Sequence, residues 1–265
     1  PIGKNHSVLF NSRLSRTFEK GLIKMAGFIY NYSDSYRKSR MFVSDITNPS
    51  EIYLDTVKSY NYTESVKAHK IGVFTALQLN ESTNLLIEGG YNISEMGRDE
   101  EFPLEQQYNR RQHAFLPSFN ISKKLSSLSA LIFNYQSSVT SPSTEQWRDY
   151  LDTKNPYQLS AGNPNLKQSY NHMFNMFMNL YGKIGNSIMI GAELTLRNNS
   201  ITNKTLFFTE NTVLDKWGGY LAEAQSTLTT YENLNGYVNG SFLINNTITL
   251  KEFLKGRLGY SVRYQ

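Results

Sequence analysis

Apolar and polar residues alternate over many short segments of this chain, as they do in β-strands whose two faces meet different surroundings. The clearest segment places Ile188, Ile190, Ala192, Leu194 and Leu196 on one face and Met189, Gly191, Glu193, Thr195 and Arg197 on the other. Five more segments alternate in the same way, at residues 28–32, 71–79, 85–93, 129–136 and 174–180. Four further candidates lie at residues 5–13, 115–121, 227–243 and 248–264. The pattern predicts ten strands.

The links between these segments alternate between tight and long. Tight links lie at residues 80–83, 122–126, 182–186 and 245–247, and long polar links lie at roughly residues 37–65, 94–111, 138–165 and 198–225. Transmembrane β-barrels have this arrangement, with short turns on the inner side of the membrane and long loops outside. We therefore expect an all-β chain that forms an antiparallel transmembrane β-barrel wall, a meander of about ten long strands. A short helix is expected within the link at residues 101–111.

The composition is compatible with a barrel and excludes a helical membrane protein. Only 39% of the residues are hydrophobic and the mean hydropathy is -0.46, and no run approaches the ~18–20 apolar residues of a spanning helix. A barrel strand shows lipid only every second residue, so its average is near neutral or polar. The 18 tyrosines and 15 phenylalanines fit an aromatic girdle at the membrane boundary, or the ordinary preference of aromatic residues for strands.

Charge, cysteine content and the first residues narrow the interpretation further. The 27 basic and 22 acidic residues are scattered, without the basic stripe of a nucleic-acid-binding protein. The lack of cysteine excludes disulfides and thiolate metal sites. No linker or exact repeat divides the chain, so we expect residues 1–265 to be part of a single domain. Because Pro1-Ile2-Gly3-Lys4 offers neither an initiator Met nor a signal core, the sequence reads as a piece of a longer chain.

Three groups of residues have chemistry beyond packing, and each has a simpler structural explanation. The histidines lack metal-ligand spacing, so we expect them to be unrelated; they are His6, His69, His113 and His172. Packing or lipid contact explains the methionines of two neighbouring strands better than a soft-metal path; they are Met173, Met176, Met178 and Met189. A solvated loop explains one acidic cluster better than a calcium site; it contains Asp99, Glu100, Glu101 and Glu105.

Nothing in the sequence indicates an enzyme or a cofactor. The chain contains no glycine-rich phosphate loop, no His-Glu-x-x-His and no nucleophile elbow. Strand parity places Glu88, Glu193 and Arg197 toward the inside of a barrel, where we expect each to form a salt bridge across the wall. No ligand-binding residue is assigned from the sequence.

One segment resembles a signature of a known family. The residues from Asn155-Pro156-Tyr157 to Gly162-Asn163-Pro164-Asn165-Leu166-Lys167 are similar to the Asn-Pro-Leu-x-x-x-x-Gly-Asn-Pro-Asn-Leu-Lys-Pro-Glu signature of TonB-dependent outer-membrane receptors, and most of all to the Bacteroidota outer-membrane β-barrel family. Gly162 and Pro164 shape a tight turn before the next strand. The chain departs from the signature after Lys167, where Gln168-Ser169 replaces Pro-Glu.

Four other segments resemble the same family in the same order along the chain. They are Pro1-Ile2-Gly3-Lys4-Asn5-His6, Leu54-Asp55-Thr56 before Tyr60 and Tyr62, Phe115-Leu116-Pro117-Ser118, and Thr229-Thr230-Tyr231-Glu232-Asn233-Leu234. Each segment alone is common. Five in the family's order, spread over nearly the whole chain, are specific.

The resemblance implies a 22-stranded barrel in the bacterial outer membrane, of which this chain supplies nearly half. The plug domain, the remaining strands and the contact with the TonB energy-coupling complex would belong to missing parts of the protein. The implied function is uptake of a small-molecule, glycan or peptide ligand, with outer-membrane lipid and no nucleic acid as further partners. Two alternatives remain open at this point: a small closed barrel with a structural or adhesive role, and a soluble β-sandwich binding module.

Overall fold

The computed structural model describes residues 2–48, 51–54, 59–102, 105–182, 185–251 and 254–264. Within them, the chain is mostly strand, with a helical turn, α1 (Thr144–Trp147), and a 3-10 turn at Asp215–Trp217. The strands are β1 (Ile2–Thr17), β2 (Ile23–Met41), β3 (Ser44–Asn48), β4 (Glu51–Leu54), β5 (Tyr60–Asn80), β6 (Thr83–Phe102), β7 (Gln106–Lys124), β8 (Ala130–Thr140), β9 (Leu151–Asp152), β10 (Gln158–Ala161), β11 (Ser169–Tyr181), β12 (Ser187–Asn198), β13 (Ser200–Phe207), β14 (Thr212–Leu214), β15 (Tyr220–Ala222), β16 (Thr227–Leu234), β17 (Tyr237–Lys251) and β18 (Leu254–Tyr264). No helix in these ranges has the length and apolar character needed to cross a membrane.

A ten-stranded antiparallel sheet forms the wall of the molecule. Its strand order is β1-β2-β5-β6-β7-β8-β11-β12-β17-β18, so the chain crosses the sheet from one edge to the other without a crossover. The other strands lie in the long links. The predicted all-β antiparallel meander of ten strands is therefore confirmed.

The register of the sheet gives the wall two chemically different faces. Directly opposed residues lie on the same face, and the ladders join Phe174 to Tyr135 and Leu194, and Val73 to Phe28 and Gly89. This outer face carries large apolar side chains that are exposed in the isolated chain, including Phe28 (64%), Ile71 (56%) and Phe115 (60%). The inner face joins Asn120, Asn134, Asn175 and Glu193 in one row. The parity predicted from the sequence is correct.

The apolar part of the outer face covers only the end of the tall strands near the tight turns. On β6 it runs from Leu85 to Ile93, and Glu95 and Asp99 follow on the same face. Strands β2, β5, β6 and β7 have 19, 21, 20 and 19 residues, whereas about 9–11 residues cross a bilayer. Their upper parts, toward the long links, therefore stand beyond the apolar band.

Two adjacent residues of β12 test this assignment of faces. Ile190 opposes Met178 and Ile244 on the outer face, whereas Met189 opposes Asn179 and Asn245 on the inner face. Arginine at a lipid-facing position near the bilayer midplane destabilises a barrel by about 2–4 kcal/mol. We expect Ile190→Arg to lower the free energy of unfolding in liposomes by this amount and Met189→Arg to lower it by much less. Equal effects would contradict the assigned faces.

Two of the predicted long links contain more paired strand than the sequence suggested. Residues 94–111 are wrongly predicted as a loop, because Ser94 to Glu100 pair with Gln112 to Gln106 as the top of the β6–β7 hairpin. The helix predicted at residues 101–111 is wrong for the same reason. The link at residues 37–65 contains the β3–β4 hairpin, and β2 and β5 extend into it. Beyond the membrane, polar residues can occupy both faces of a paired strand, which hides the strand from a search for alternation.

The remaining long links and β16 form what we call the cap layer, which contains α1, the separate two-stranded sheet β14–β15 and a four-stranded sheet of β9, β10, β13 and β16. The strand order of the four-stranded sheet is β13-β16-β10-β9, with a parallel β10–β16 pair. The core of the cap layer contains Leu151, Leu159, Ala161, Ala222 and Leu228, with Phe208, Leu214, Trp217 and Tyr220 packed against it. Burial of these side chains gives the cap layer its own apolar core, and about 25 cal/mol is gained per Å² of apolar surface removed from water.

Two boundaries near the end of the chain differ from the prediction. Residues 227–243 are two strands, because the chain leaves the cap layer after Leu234 and enters the wall at Tyr237, with a positive φ of 88° at Gly236. The tight link at residues 245–247 is wrong, since these residues pair with both β12 and β18 inside β17. The link at residues 80–83 is confirmed. Lys183 and Ile184 of a further predicted link lie outside the described residues.

Candidate functional site

A buried arginine joins the cap layer to the upper part of the wall. Arg98 lies on the inner face of β6, opposite Glu64 of β5, and its side chain is 3% exposed. Its guanidinium contacts three carboxylates, at 2.8 Å from Glu64, 2.7 Å from Glu100 and 2.8 Å from Glu145. Glu145 belongs to α1, so the contact bridges the two layers. Charged groups at this depth are tolerated only when they are paired and hydrogen-bonded.

A second arginine completes the ion network. Arg148, at the end of α1, lies 2.9 Å from Glu100 and 3.1 Å from Glu145. The Arg98 guanidinium also lies 3.7 Å from the ring centroid of Tyr62. Burial lowers the pKa of Arg98, but Glu145, Glu100 and Glu64 outweigh this effect and hold the pKa above its ordinary value. Arg98 therefore stays charged at any physiological pH.

The sequence around α1 explains why this turn forms and where it docks. The Ser143 side chain accepts from the Gln146 backbone, and the Gln146 side chain accepts from the Ser143 N–H, which together make a capping box. Such a box satisfies two otherwise unpaired backbone donors. Trp147 on this turn is buried and meets the ring of Tyr108 edge-on at 5.9 Å.

The Gly-Asn-Pro-Asn-Leu motif holds α1 in place. A Cβ at Gly162 would lie 2.1 Å from the Arg148 carbonyl oxygen and 2.9 Å from that of Glu145, so the glycine allows a close approach of two backbones. The Asn163 N–H donates to the Gln146 carbonyl at 2.7 Å, and its side chain donates to the Tyr231 carbonyl at 2.8 Å. Leu166 is fully buried. The motif thus connects α1, the cap layer and the wall.

A pocket of about 250 Å³ opens beside the ion network on the inner side of the wall. Its lining residues come from the start of β5 and the residue before it, from β6, and from α1 and the segment after it. They are Ser59, Tyr60, Tyr62, Arg98, Glu100, Phe102, Glu145, Arg148, Tyr150, Asp152 and Lys154. Lys154 lies 3.5 Å from Asp152, so each of the six charged lining residues has an oppositely charged neighbour within the pocket. Tyrosine hydroxyls and ring faces complete a surface suited to a polar ligand.

Several polar groups near this contact lack a hydrogen-bond partner in the described part of the chain. They are Trp147 Nε1, Arg110 Nη1, Gln112 Oε1 and Ser94 Oγ. Burial lowers the pKa of Arg110, whose only described polar contact is with the Leu166 carbonyl. A buried group without a partner destabilises a contact by about 1–3 kcal/mol. These groups oppose the docking of α1, whereas the ion network places paired charges across the same contact, Glu145 with Arg98 and Arg148 with Glu100.

The fold and this site can be compared with known proteins. A model of the outer membrane protein beta-barrel family matches residues 3–265. The chain belongs to this family. Its localisation in the bacterial outer membrane follows, and the soluble β-sandwich alternative is not supported. The assignment to Bacteroidota stays a prediction. Among curated protein sequences, none matches the chain.

Solved structures of TonB-dependent receptors share the fold of this family member. A mutant of the ferric enterobactin receptor PfeA from Pseudomonas aeruginosa matches with a TM-score of 0.54 and 12% identity, over 99% of this chain and 44% of the receptor. The copper transporter OprC matches with a TM-score of 0.57 and 10% identity, over 98% of this chain and 38% of OprC. A double mutant of the Serratia marcescens hemophore receptor HasR was solved with its hemophore HasA and heme. It matches with a TM-score of 0.56 and 10% identity, over 99% of this chain and 42% of HasR. The chain thus spans less than half the length of these receptors.

The sequence predicted a salt bridge for each of three inner-face residues, and the structure shows one for only one of them. Glu88 lies 2.8 Å from Lys70, which confirms a salt bridge across the wall. The Arg197 side chain instead donates to Asn171 at 2.6 Å and lies over the Tyr237 ring. Glu193 opposes Asn175 and Ser241. Among the described residues, neither Arg197 nor Glu193 forms the predicted ion pair.

The other candidate residues are explained by their place in the barrel. Met176 and Met178 share the outer face with Phe174 and Leu180 as predicted, whereas Met173 and Met189 lie on the inner face. The solvated-loop interpretation of the acidic cluster is wrong for Glu100, which is 7% exposed and paired with two arginines. The described residues contain no group of three His, Asp or Glu that could hold a metal ion.

The register of the sheet places two of the four histidines, His69 and His113, in one row across Ile93, and it places His6 and His172 in other rows. All lie on the outer face, each beside a tyrosine ring: His6 with Tyr36, His69 with Tyr30 and Tyr32, His113 with Tyr91, and His172 with Tyr135. On β5, β7 and β11, the histidine is the first polar outer-face residue above the apolar run. This position at the end of the apolar run becomes visible only when the strands are aligned.

Two family motifs lie partly beyond the described residues. Asp55 and Thr56 of the second motif fall outside the described ranges, as does Pro1 of the first. The Phe115-Leu116-Pro117-Ser118 motif lies within β7, and the Thr229 to Leu234 motif lies within β16 of the cap layer. The last motif pairs with β13 and β10, so it is part of the four-stranded sheet of the cap layer.

Proposed function

We propose that this chain is part of the barrel of an outer-membrane transporter of the TonB-dependent-receptor type, and that the pocket beside Arg98 belongs to its ligand-capture surface. The observation that carries the proposal is the position of the pocket. It lies on the inner face of the wall, above the apolar band, and is partly covered by an ordered cap layer. A ligand held there would be at the mouth of a lumen.

The complete transporter would contain parts that this chain lacks. The three receptors compared above are more than twice as long as the stretch matched here. We propose that residues 1–265 form one part of a single barrel domain, with the remaining strands, a plug domain and a TonB-binding segment elsewhere in the protein. The long links would lie outside the cell and the tight turns in the periplasm. Binding energy for the ligand would come from hydrogen bonds and ring contacts in the pocket.

The three compared receptors are named for different ligands, and the charge of the pocket in this chain favours none of these ligands. The compared receptors are named for ferric enterobactin, copper and a hemophore with heme. In this chain, six charged residues in the pocket are paired with one another. A small polar molecule, a glycan or a short peptide is therefore the proposed class of ligand.

Contact with TonB distinguishes a transporter from a structural or adhesive barrel. In cells that express the full-length protein, we expect chemical crosslinking to trap a complex with TonB, detected with antibodies against both proteins. The crosslinked species should disappear in cells without TonB and when the proposed TonB-binding segment of the full-length protein is deleted. A barrel that reaches the membrane in normal amounts but gives no such complex would support the structural or adhesive alternative.

A further inference from the structure

Two Asn-Gly pairs lie close together near the end of the chain, and the structure gives them opposite surroundings. Asn235-Gly236 forms the whole link between β16 and β17, where the chain passes from the cap layer to the wall. Asn239-Gly240 lies inside β17, and Gly240 opposes Leu194 of β12 on one side and Tyr264 of β18 on the other. These are the only Asn-Gly pairs in the sequence. One pair therefore lies in a link and the other in a strand that is paired on both sides.

An asparagine followed by glycine can convert itself to aspartate or isoaspartate. The backbone nitrogen of the glycine attacks the side-chain carbon Cγ, a new N–Cγ bond closes a five-membered succinimide ring, and the Cγ–Nδ2 bond breaks. Ammonia leaves with the proton that the glycine N–H gives up. Water then opens the ring at either carbonyl, so the net change is the exchange of an amide for a carboxyl group. Glycine promotes the first step because it has no Cβ to obstruct the approach.

The surroundings of Asn235 favour this reaction. Asn235 and Gly236 are both exposed, and Gly236 has a positive φ of 88° with no atom within 4 Å of the position of a Cβ. The Asn199 N–H donates to Asn235 Oδ1 at 2.8 Å. This oxygen becomes negative when Cγ is attacked, and a backbone N–H held at hydrogen-bond distance stabilises such a charge. Among the described residues, neither the Gly236 N–H nor Asn235 Nδ2 donates a hydrogen bond, so no protein hydrogen bond has to break before the ring closes.

Asn239 is also followed by glycine, but its surroundings hinder the same reaction. Gly240 is paired with both neighbours of β17, so its N–H belongs to a ladder of hydrogen bonds. The backbone amide of a paired strand becomes available only after the strand opens locally, which costs free energy. The Asn239 side chain also donates to the Tyr237 hydroxyl at 3.4 Å. The structure therefore predicts a large difference in reactivity between two pairs of identical sequence.

Asn235 lies where the cap layer joins the wall. Asn199 is the residue between β12 and β13 and has a positive φ of 52°, so its bond to Asn235 ties one crossing of the chain to another. The Asn233 side chain donates to the Asn199 carbonyl at 2.8 Å and to the Lys167 carbonyl at 3.1 Å, and accepts from the Lys167 N–H at 2.7 Å. Lys167 leads into β11, so three crossings between the layers are joined here. We call Lys167, Asn199, Asn233 and Asn235 the neck.

We propose that Asn235 is a site of spontaneous deamidation, and that its conversion to isoaspartate loosens the neck. In isoaspartate, the carbonyl that accepts from the Asn199 N–H becomes part of a main chain that is one carbon longer. The link between β16 and β17 has only two residues, so the extra carbon displaces Asn235 from Asn199. Because the amide is lost as ammonia, the attachment of the cap layer weakens with the age of the protein.

Peptide mapping of the full-length protein tests the proposal. The protein is incubated in detergent micelles in mildly alkaline buffer, in which more of the attacking nitrogen is deprotonated, and is then digested. Cleavage after Tyr237 places the two Asn-Gly pairs in different peptides, and chromatography with mass spectrometry measures aspartate and isoaspartate in each. We expect Asn235 to react at least about tenfold faster than Asn239, which corresponds to an opening free energy of about 1.4 kcal/mol at Gly240. In protein unfolded by guanidinium, the two pairs should react at similar rates.

The matched control is Asn235→Gln, which keeps a side-chain amide but would have to close a larger and less favourable ring. This variant should stay unmodified at residue 235, while Asn239 reacts as in the wild type. After incubation, amide hydrogen exchange in β13 and at the end of β16 should become faster in the wild type and stay unchanged in the variant. Equal rates at the two pairs in the folded protein, no product at Asn235, or unchanged hydrogen exchange after Asn235 has reacted would each overturn the proposal.

Discussion

Replacing Gly162 with alanine is expected to detach α1 from the rest of the cap layer and from the wall. The new Cβ would lie 2.1 Å from the Arg148 carbonyl oxygen, a separation that no relaxed side chain adopts, and the obstacle is backbone and not a flexible side chain. Overpacking of this kind destabilises a structure by about 1–3 kcal/mol or somewhat more. Amide hydrogen exchange should become faster for residues 144–168, while amides in the lower halves of β5 to β8 keep their protection.

A glycine in open space provides the control for this experiment. A Cβ added at Gly256 on β18 would meet no atom within 4 Å, and the φ of this glycine is not positive, so Gly256→Ala should leave exchange throughout the cap layer unchanged. If Gly162→Ala also left it unchanged, the motif would serve only as a turn before β11, as the sequence alone suggests.

The second large effect is expected at Arg98. Arg98→Gln removes the cation that contacts Glu64, Glu100 and Glu145, and Arg148 alone then faces two of these carboxylates. Removing one partner of a buried ion pair destabilises a protein by about 3–5 kcal/mol. We expect the contact between α1 and β6 to open, with a red shift in the fluorescence of Trp147, which is 7% exposed in the native structure.

An exposed ion pair in the same protein supplies the comparison. Lys204 and Glu232 lie 3.0 Å apart, with side chains 48% and 35% exposed, and such pairs contribute about 0–1 kcal/mol. Lys204→Gln should therefore leave the fluorescence and the unfolding midpoint nearly unchanged. If Arg98→Gln were as mild as Lys204→Gln, the cap layer would be held by its apolar core and not by the ion network.

The wall could be predicted from the sequence because its signal is local. In β12, apolar and polar residues alternate from Ile188 to Arg197, and lipid on one side and a polar interior on the other require that alternation. The same local signal placed Glu88 on the inner face. It failed at residues 245–247, where Asn-Asn-Thr resembles a turn, because pairing with neighbours on both sides overrides local preference.

The candidate site could not be predicted because its members are far apart in the sequence. Arg98 is 34 residues from Glu64 and 47 from Glu145, and isolated charged residues in a polar link look like solvated side chains. The register of β5 and β6 and the docking of α1 bring them together. The shared row of His69 and His113 on the outer face was missed for the same reason, since it depends on the alignment of β5, β6 and β7.

The tall upper wall described above has a consequence for access at the cell surface. From Ser94 to Phe102, β6 continues beyond the apolar band, and at about 3.3 Å per residue this stretch is roughly 30 Å long. If the long links face outward, the upper wall forms a raised rim above the lipid headgroups, and the pocket lies inside this rim. Large macromolecules such as antibodies would contact this rim first. Only a ligand small enough to pass the rim could reach the pocket.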